Sequence, residues 1–329
     1  MGRILVLGGT AWLGREIARS ALLRGDEVTC LARGESGGVA DGVRFVAADR
    51  DGPDAYASVA RERWDEIVDV SWQPGQVASA VSALADRAEH WTYVSSVSVY
   101  DGDPEPGDDE TAPLQGEWHG EAATVAEYGP AKVRCERLVG ERMGDRALLV
   151  RAGLLVGPGD PTDRFGYWVS RLALAGGDDV LVPDEPSMPV QVLDTRDLAS
   201  WIATAAENGC TGAADAVGPV LTFAEVLSAS AEAAEFRGRM VPADTDFLLA
   251  NEVQYWSGPR SLPLWLPMPA SAGVMSRAGV LARQLGLVTR PLAETLTDTL
   301  ADERARGLDR PRRAGLDRVD EAALLVALP

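Results

Sequence analysis

The sequence has 329 residues, of which 46% are apolar and 25% charged, and both fractions are typical of a globular protein with a substantial core. The formal net charge of −19 excludes the basic face that nucleic acids and anionic membranes require, so we expect a small-molecule partner. The cysteines Cys30, Cys135 and Cys210 form no Cys-x-x-Cys pair and only two histidines occur, so neither disulfides nor a metal site is expected.

The chain begins with a predicted strand. Arg3 is followed at once by an apolar run at residues 4–7, without the charged segment and long apolar stretch of a secretion signal. No run approaches the ~20 apolar residues of a membrane span. We therefore expect a cytoplasmic protein with no membrane partner.

The first 150 residues alternate short β-branched runs with amphipathic stretches, the pattern of βαβ units around a parallel sheet. Strands are predicted at 4–7, 27–31, 44–47, 66–70, 91–95 and 147–150, and helices at 13–24, 53–63, 75–88 and 121–143. The predicted fold is an α/β, Rossmann-type doubly wound parallel sheet, formed by a domain at 1–150.

Beyond Arg151 the regular alternation ends, and residues 151–329 are predicted to form mainly a smaller, interleaved substrate-binding region. Pieces near 190–217, one at 190–206 and one at 213–217, are expected to rejoin the Rossmann sheet. A long acidic loop is predicted at 101–120, where the run Asp-Asp-Glu at 108–110 either attracts a cationic substrate or is a solvated charge cluster.

A glycine-rich turn, Gly-Gly-Thr-Ala-Trp-Leu-Gly at residues 8–14, joins the first predicted strand to the first predicted helix. Backbone N–H groups at such a helix start, with the helix dipole behind them, bind a pyrophosphate. Gly8 permits the tight turn and Gly14 permits close packing of the helix on the strand. The turn therefore predicts a dinucleotide cofactor.

The end of the second strand indicates which dinucleotide is bound, because NAD-binding folds place an acidic residue there, about 20 residues after the glycine turn. Here the strand ends Leu31-Ala32-Arg33, without a carboxylate. Arg33 either pairs with a 2′-phosphate through its fork of donors or is an exposed arginine at a strand end. We predict NADP, with NAD as the alternative.

The chain contains a single lysine, Lys132, which stands four residues after Tyr128, although it has 31 basic residues in total. An ammonium group can reach a sugar hydroxyl and promote the ionisation of a neighbouring phenol, which the guanidinium of arginine does poorly. Ser96 follows the fifth predicted strand, at the carboxyl edge where ligands bind in such sheets. Ser96, Tyr128 and Lys132 are therefore the candidate catalytic residues.

Together these features resemble the extended short-chain dehydrogenases/reductases, the family of NAD-dependent epimerases and dehydratases. The resemblance runs nearly end to end. It rests on the glycine turn, on Ser-Ser-x-x-Val-Tyr at 95–100, on Tyr-x-x-x-Lys at 128–132, on Arg151 with Gly-Pro at 157–158, and on the segment 192–199.

The resemblance implies a role for each candidate residue. Ser96 would hydrogen-bond the reacting oxygen, Tyr128 would be the acid and base, and Lys132 would bind the nicotinamide ribose and activate the phenol. The implied cofactor-binding residues, besides Tyr128 and Lys132, are Gly8, Thr10, Ala11, Trp12, Leu13, Gly14, Arg33, Asp49, Arg50, Ser71, Trp72, Gly153 and Leu154. A homodimer formed by the helices at 75–88 and 121–143 is also implied.

Four features, at five positions, depart from the family pattern. Ala11 replaces the middle glycine of the turn, and Leu154 stands where many sugar-nucleotide enzymes have asparagine. Val97 and Ser98 follow Ser96, where 4,6-dehydratases place aspartate and glutamate. Pro130 lies between Tyr128 and Lys132, which requires a helix to begin or kink there.

The sequence thus predicts an NAD(P)-dependent oxidoreductase of the short-chain dehydrogenase type, which reduces a small carbonyl or oxidises an alcohol with NADP. One alternative is an epimerase of a sugar or sugar nucleotide with a retained cofactor. Another is a non-catalytic dinucleotide-binding protein, which the presence of Ser96, Tyr128 and Lys132 disfavours.

Overall fold

A computed structural model describes residues 1–102 and 104–329 of the chain. The strands are β1 (Arg3–Leu7), β2 (Glu27–Ala32), β3 (Arg44–Ala47), β4 (Trp64–Asp69), β5 (Ala88–Ser96), β6 (Ala147–Ala152), β7 (Leu154–Val156), β8 (Val180–Pro183), β9 (Pro189–Asp194), β10 (Gly212–Ala216), β11 (Val220–Thr222), β12 (Met240–Ala243), β13 (Gln254–Trp256) and β14 (Ser261–Pro263). The helices are α1 (Trp12–Leu23), α2 (Pro74–Leu84), α3 (Tyr128–Met143), α4 (Arg164–Ala175), α5 (Thr195–Ile202), α6 (Phe223–Ala233), α7 (Thr245–Ala250), α8 (Val280–Gln284), α9 (Leu292–Arg306) and α10 (Arg318–Ala327).

A seven-stranded sheet has the order β10-β6-β5-β4-β1-β2-β3, and all its neighbouring strands run parallel. After β1 the chain adds β2 and β3 on one side of the sheet, and β4 then pairs with the other side of β1. Ligands bind in doubly wound folds at this reversal, at the carboxyl ends of the strands. The predicted Rossmann-type parallel sheet is confirmed.

One face of this sheet is covered by α2 and α3. Large side chains from the strands are almost completely buried there, among them Trp64, Trp91 and Tyr93, and α3 contributes Cys135 and Val139. Burial of apolar surface on this scale fixes α3 against β5 and β6, and α3 begins with Tyr128.

The chain divides into two compact units, one of residues 1–154, 195–218 and 277–289, and one of residues 155–194, 219–276 and 290–329. The first contains the seven-stranded sheet. In it the stretch predicted at 213–217 forms the edge strand β10. The division into domains at 1–150 and 151–329, made from the sequence, remains a prediction.

The second unit contains three small sheets, β11-β9-β7, β12-β8 and β13-β14. The stretch predicted at 190–206 is divided between the two units. Its strand, β9, pairs antiparallel with β11 in the second unit, whereas its helix, α5, belongs to the first.

Two predicted helices differ from the structure. Residues 53–63 form successive turns rather than a helix. Backbone hydrogen bonds between residues three or four apart close these turns, and the turns bury the side chains of Ala55, Tyr56 and Val59. The helix predicted at 121–143 begins at Tyr128, because Thr124 and Glu127 form a capping box that starts a 3₁₀ turn at residues 125–127.

Among the described residues, no helix is both long and apolar enough to cross a membrane.

A buried histidine–glutamate pair links three strands at the opposite, amino-terminal edge of the sheet. His90 Nδ1 of β5 lies 2.6 Å from Glu66 Oε2 of β4, and His90 Nε2 lies 2.7 Å from the carbonyl oxygen of Cys210, just before β10. A carbonyl oxygen only accepts, so Nε2 carries a proton. Burial alone lowers the pKa of His90, but the hydrogen bond and charge of Glu66 outweigh it and raise the pKa.

We predict that this pair makes stability depend on pH. Because the folded-state pKa of His90 is above the unfolded value of about 6.5, its contribution is complete below that pH and is lost as pH rises through the folded-state pKa. His90→Gln should therefore flatten the decline of unfolding free energy as pH rises above about 6.5, measured by urea titration. His119→Gln, at the exposed histidine, is the control. An unchanged pH profile in His90→Gln would contradict the assignment.

Candidate active site

Neighbouring backbone and side-chain atoms pack closely around the glycine turn after β1 and leave little room for side chains. Gly8 has φ of +99°, and a Cβ there would lie 2.5 Å from Val70 Cγ2. A Cβ on Gly14 would lie 2.3 Å from the Gly8 carbonyl oxygen. Ala11 stands at the N-cap of α1 with an ordinary φ of −78° and no side-chain acceptor. The turn therefore accommodates alanine without strain and keeps the amide-rich helix start that suits a pyrophosphate.

A cavity of about 280 Å³ opens at this turn, at the switch point of the sheet. It brings together eight of the predicted cofactor-binding residues: Gly8, Thr10, Ala11, Arg33, Asp49, Arg50, Ser71 and Trp72. Glu35, Ser36 and Gln76, which the sequence did not single out, also line it. The other seven predicted residues lie outside this lining: Trp12, Leu13, Gly14, Tyr128, Lys132, Gly153 and Leu154. The cavity is the candidate dinucleotide site.

The two arginines of this cavity have different partners. Arg33 is exposed and its Nη2 lies 3.3 Å from Glu35 Oε2 at the mouth. Arg50 is buried and donates two hydrogen bonds of 2.7 Å to Asp69, one to each carboxylate oxygen. It also donates to Tyr56 Oη at 2.9 Å and to the Gln76 carbonyl oxygen at 3.0 Å. Arg33 is thus the more available of the two for a phosphate.

Ser96 ends β5 and starts a short 3₁₀ turn of residues 97–99. Its hydroxyl accepts from the Ser98 backbone N–H and donates to Ser98 Oγ, both at 3.1 Å. The side chain is partly exposed, so the hydroxyl can exchange the Ser98 partner for another oxygen.

Tyr128 is the first residue of α3, and Pro130 is the third. Proline is tolerated in the first turn because those N–H groups have no partner within the helix, so the predicted requirement at Pro130 is met. Gly129 allows this turn to approach β5, since a Cβ there would lie only 2.4 Å from the Ser98 carbonyl oxygen. This close contact places the start of α3 beside the turn that follows Ser96.

Trp72 and Gln73 fix the segment before α3. The rings of Trp72 and Tyr128 lie 5.5 Å apart and are tilted by 58°. Gln73 donates to the Ala123 carbonyl oxygen at 3.1 Å and accepts from the Ala123 N–H at 2.9 Å. The segment after β4, which lines the candidate cofactor cavity through Trp72, therefore helps to position Tyr128.

Lys132 is only 3% exposed and lies beneath Tyr128. Its Nζ donates to the Val94 carbonyl oxygen at 2.6 Å and to the Ser71 carbonyl oxygen at 3.1 Å. Nζ lies 4.8 Å from the ring centroid of Tyr93 and 5.9 Å from that of Tyr128. Burial lowers the pKa of Lys132 to about 8. The ammonium is thus held between the ends of β4 and β5, next to the predicted acid.

A buried network of charges continues from α3. Arg151 of β6 donates to both carboxylate oxygens of Glu136, at 2.8 and 3.0 Å, and to Tyr100 Oη at 2.9 Å. Tyr100 donates to Asp215 of β10 at 2.6 Å, and Asp215 accepts from Arg277 Nε at 2.6 Å. Burial and the neighbouring Asp215 raise the pKa of Tyr100, which keeps its proton in place.

The acidic loop is attached to the same network through its backbone. The carbonyl oxygens of Asp109 and Glu110 accept from Arg277 and Arg151, and the Glu110 carboxylate accepts from the Asp215 N–H at 2.9 Å. Asp108 accepts from the Glu105 N–H at 2.9 Å. These contacts give Asp108 and Glu110 partners within the loop and the sheet, so substrate attraction by this run stays a prediction. Residue 103 of the predicted loop lies outside the described residues.

A model of the NAD dependent epimerase/dehydratase family matches residues 4–217, which include the glycine turn, Ser96, Tyr128 and Lys132. The chain belongs to this family. The resemblance identified from the sequence is confirmed, and with it the assignment to NAD-dependent enzymes of the short-chain dehydrogenase type.

Solved structures with a similar fold include three sugar-nucleotide epimerases. The UDP-Glc/GlcNAc 4-epimerase of Campylobacter jejuni is 14% identical, with a TM-score of 0.69 over 93% of this chain and 100% of that one. The UDP-N-acetylglucosamine 4-epimerase of Bacillus cereus is 16% identical, with a TM-score of 0.66 over 93% and 100%. The UDP-glucose 4-epimerase of Thermus thermophilus, in complex with NAD, is 18% identical, with a TM-score of 0.64 over 93% and 100%. At these identities the likeness shows the fold.

Comparison with the sequences of curated proteins gives no match. Among the described residues no group of three or more His, Cys, Asp and Glu side chains could hold a metal ion.

For this epimerase/dehydratase family member, we predict that Gly129→Ala disrupts the active site. The added Cβ would meet the Ser98 carbonyl oxygen at 2.4 Å, so the first turn of α3 must move and carry Tyr128 with it. Activity should fall at least tenfold and stability should also fall. Gly140→Ala is the matched control on the same helix, because a Cβ there meets nothing within 4 Å. This substitution should raise the free energy of unfolding by about 0.5–1 kcal/mol. Equal activity in the two variants would contradict the close-approach argument.

Proposed function

We propose that the protein is an NADPH-dependent oxidoreductase of a small carbonyl compound or alcohol. The observation that carries this proposal is the buried ammonium of Lys132, which the carbonyl oxygens of Ser71 and Val94 hold below the Tyr128 ring, at the edge of the dinucleotide cavity. When bound, the nicotinamide supplies the hydride. The chain supplies proton transfer, orientation of the reacting oxygen, and electrostatics.

In reduction, Tyr128 donates its phenolic proton to the carbonyl oxygen of the substrate. Ser96 gives up its bond to Ser98 Oγ and donates instead to that oxygen, which orients the carbonyl and stabilises the charge that develops on it. The Lys132 ammonium stabilises the phenolate left behind. Oxidation of an alcohol follows the same path in reverse.

The proposed preference for NADP over NAD rests on the residues at the mouth of the cavity. Arg33 and Ser36 offer donors there, whereas Arg50 is bound to Asp69. Glu35 also lines the mouth and pairs with Arg33. A 2′-phosphate would displace Glu35 as the partner of Arg33, since a guanidinium binds a phosphate through two parallel hydrogen bonds. We therefore favour NADP over NAD.

The epimerase alternative is supported by the structures of similar fold, three of which are named 4-epimerases. Dehydration of a sugar nucleotide is disfavoured, because Val97 and Ser98 provide neither the acid nor the base that this elimination needs. The carboxylates of Asp108 and Glu110 are bound within the loop and the sheet, so they are poor replacements.

Net redox chemistry and epimerisation are separated by cofactor consumption. We expect steady loss of NADPH absorbance at 340 nm with at least one member of a panel of small ketones and aldehydes. A panel of UDP-hexoses is the comparison, with C4 epimers and loss of one water followed by mass spectrometry and chromatography. Epimer formation with catalytic cofactor, and no NADPH consumption by any carbonyl, would replace the proposal with the epimerase alternative. A dehydrated product would overturn both.

We predict that Tyr128→Phe loses at least a hundredfold in kcat and retains cofactor affinity, because only the proton donor is removed. Lys132→Arg should lose a similar factor, since the larger guanidinium does not fit between the Ser71 and Val94 carbonyl oxygens. The wild-type rate should fall as pH rises past about 8, where Lys132 loses its proton. Stopped-flow kinetics and cofactor titration measure these effects. A full rate in Tyr128→Phe would require a different acid.

We predict that NADPH binds about tenfold to a hundredfold more tightly than NADH, since a charge-assisted hydrogen bond contributes roughly 1.5–3 kcal/mol. Arg33→Ala should remove most of this difference without weakening NADH. Arg19→Ala, on the exposed side of α1 next to Glu16, is the control and should keep the preference. Calorimetric titration measures the affinity of all three proteins for both cofactors, and equal binding of both cofactors by the unmutated protein would place Arg33 outside the contact.

A further inference from the structure

The second unit (155–194, 219–276 and 290–329) contains its own cavity of about 450 Å³, lined by that unit alone. Three aspartates, several apolar side chains and five arginines line it. The arginines are Arg171, Arg260, Arg310, Arg312 and Arg318. The C-terminal residues 308–318 form much of one wall, and the nucleotide chemistry described above uses none of them.

Three of these arginines are fixed by buried carboxylates. Arg171 Nε donates to Glu321, and Arg312 Nη2 donates to Glu303 at 2.7 Å. Arg310 Nη2 donates to Asp163 and, at 3.1 Å, to Glu303. A guanidinium that is held at one end presents the remaining N–H groups in a defined direction.

Each of the three also has a buried nitrogen without an acceptor among the described residues: Arg171 Nη1, Arg310 Nε and Arg312 Nη1. The side chains of Arg171 and Arg312 are only 10% exposed. Folded proteins leave few buried donors unpaired, and a charged donor is the most costly to leave so. Each of these nitrogens is closed to solvent but lies on a side chain that lines the cavity. A shift of the side chains toward a ligand would give the donors the acceptor that the described residues do not supply.

We propose that this cavity binds a small organic phosphate monoester. Three guanidinium groups from separate positions match the three terminal oxygens of a phosphate better than they match one planar carboxylate. Leu174, Leu308 and Leu316 provide apolar wall for the organic part, and the volume is that of a small-molecule site. The site does not depend on the proposed oxidoreductase activity.

The expected affinity is moderate. Asp163, Glu303 and Glu321 offset much of the arginine charge, and Asp309, Asp317 and Asp320 line the cavity as well. We therefore expect a Kd on the order of 10 μM to 1 mM, far from the nanomolar range.

The test is calorimetric titration of the full chain with phenyl phosphate, in the absence and presence of excess NADH, which has the nucleotide but no phosphate monoester. Saturable binding that NADH does not displace is expected, at least tenfold tighter than that of inorganic phosphate or phenol. Binding that NADH displaces would assign the phosphate to the nucleotide cavity and overturn the proposal, as would the absence of saturation up to about 10 mM. Failure of the oxidoreductase proposal would appear separately, in the 340 nm assay.

Two variants locate the binding. Arg312→Lys keeps a cation opposite Glu303 but loses the planar fork, and should weaken binding at least tenfold. Arg318→Gln, at the exposed first residue of α10, should weaken it about threefold and leaves the buried pairs intact, so it decides the question if Arg312→Lys does not fold. Arg239→Lys, which changes an exposed partner of Asp179 in the same unit, is the matched control. Unchanged affinity in folded Arg312→Lys, or in Arg318→Gln where only that variant folds, would overturn the assignment.

Discussion

The candidate active site depends on a buried chain of alternating charges that runs from Glu136 through Arg151, Tyr100 and Asp215 to Arg277. Each charge in it has an opposite partner, which is the condition under which ions remain stable in a protein interior. The chain links α3, β6, the end of β5 and β10. Because α3 carries Tyr128 and Lys132 while β5 ends at Ser96, the same contacts that bury these ions also set the spacing of the three candidate catalytic residues.

The nucleotide cavity illustrates how one residue type can have two functions in one site. Arg50 and Asp69 form a buried bidentate pair that joins the end of β3 to the end of β4. Through Arg50 this pair forms part of the cavity wall. Arg33 is exposed and pairs with Glu35, two residues along the chain. The geometry therefore separates a buried, bidentate arginine from an exposed one that suits the proposed phosphate contact, although both line the same cavity.

The sequence predicts what short-range patterns determine. The buried strands are brief β-branched runs between turn residues, and Tyr128 and Lys132 lie one helical turn apart, so both follow from local spacing. Pairing between residues far apart in the sequence does not follow from such local spacing. Nothing local indicates that Arg50 is bound by Asp69, or that residues 53–63 bury their apolar side chains through turns. The start of α3 also escaped prediction, since this helix begins where a capping box and a glycine contact permit it.

The burial of the single lysine has a practical consequence for spectroscopy. In a protein labelled with ¹⁵N and ¹³C only at lysine, every side-chain lysine signal comes from Lys132 at the centre of the site. Chemical-shift changes of that one ammonium would follow cofactor entry and proton loss directly, without assignment of the rest of the chain. The same feature leaves amine-reactive dyes with the chain terminus as their accessible target, since Nζ is enclosed by backbone carbonyl groups. The protein therefore carries its own site-specific reporter.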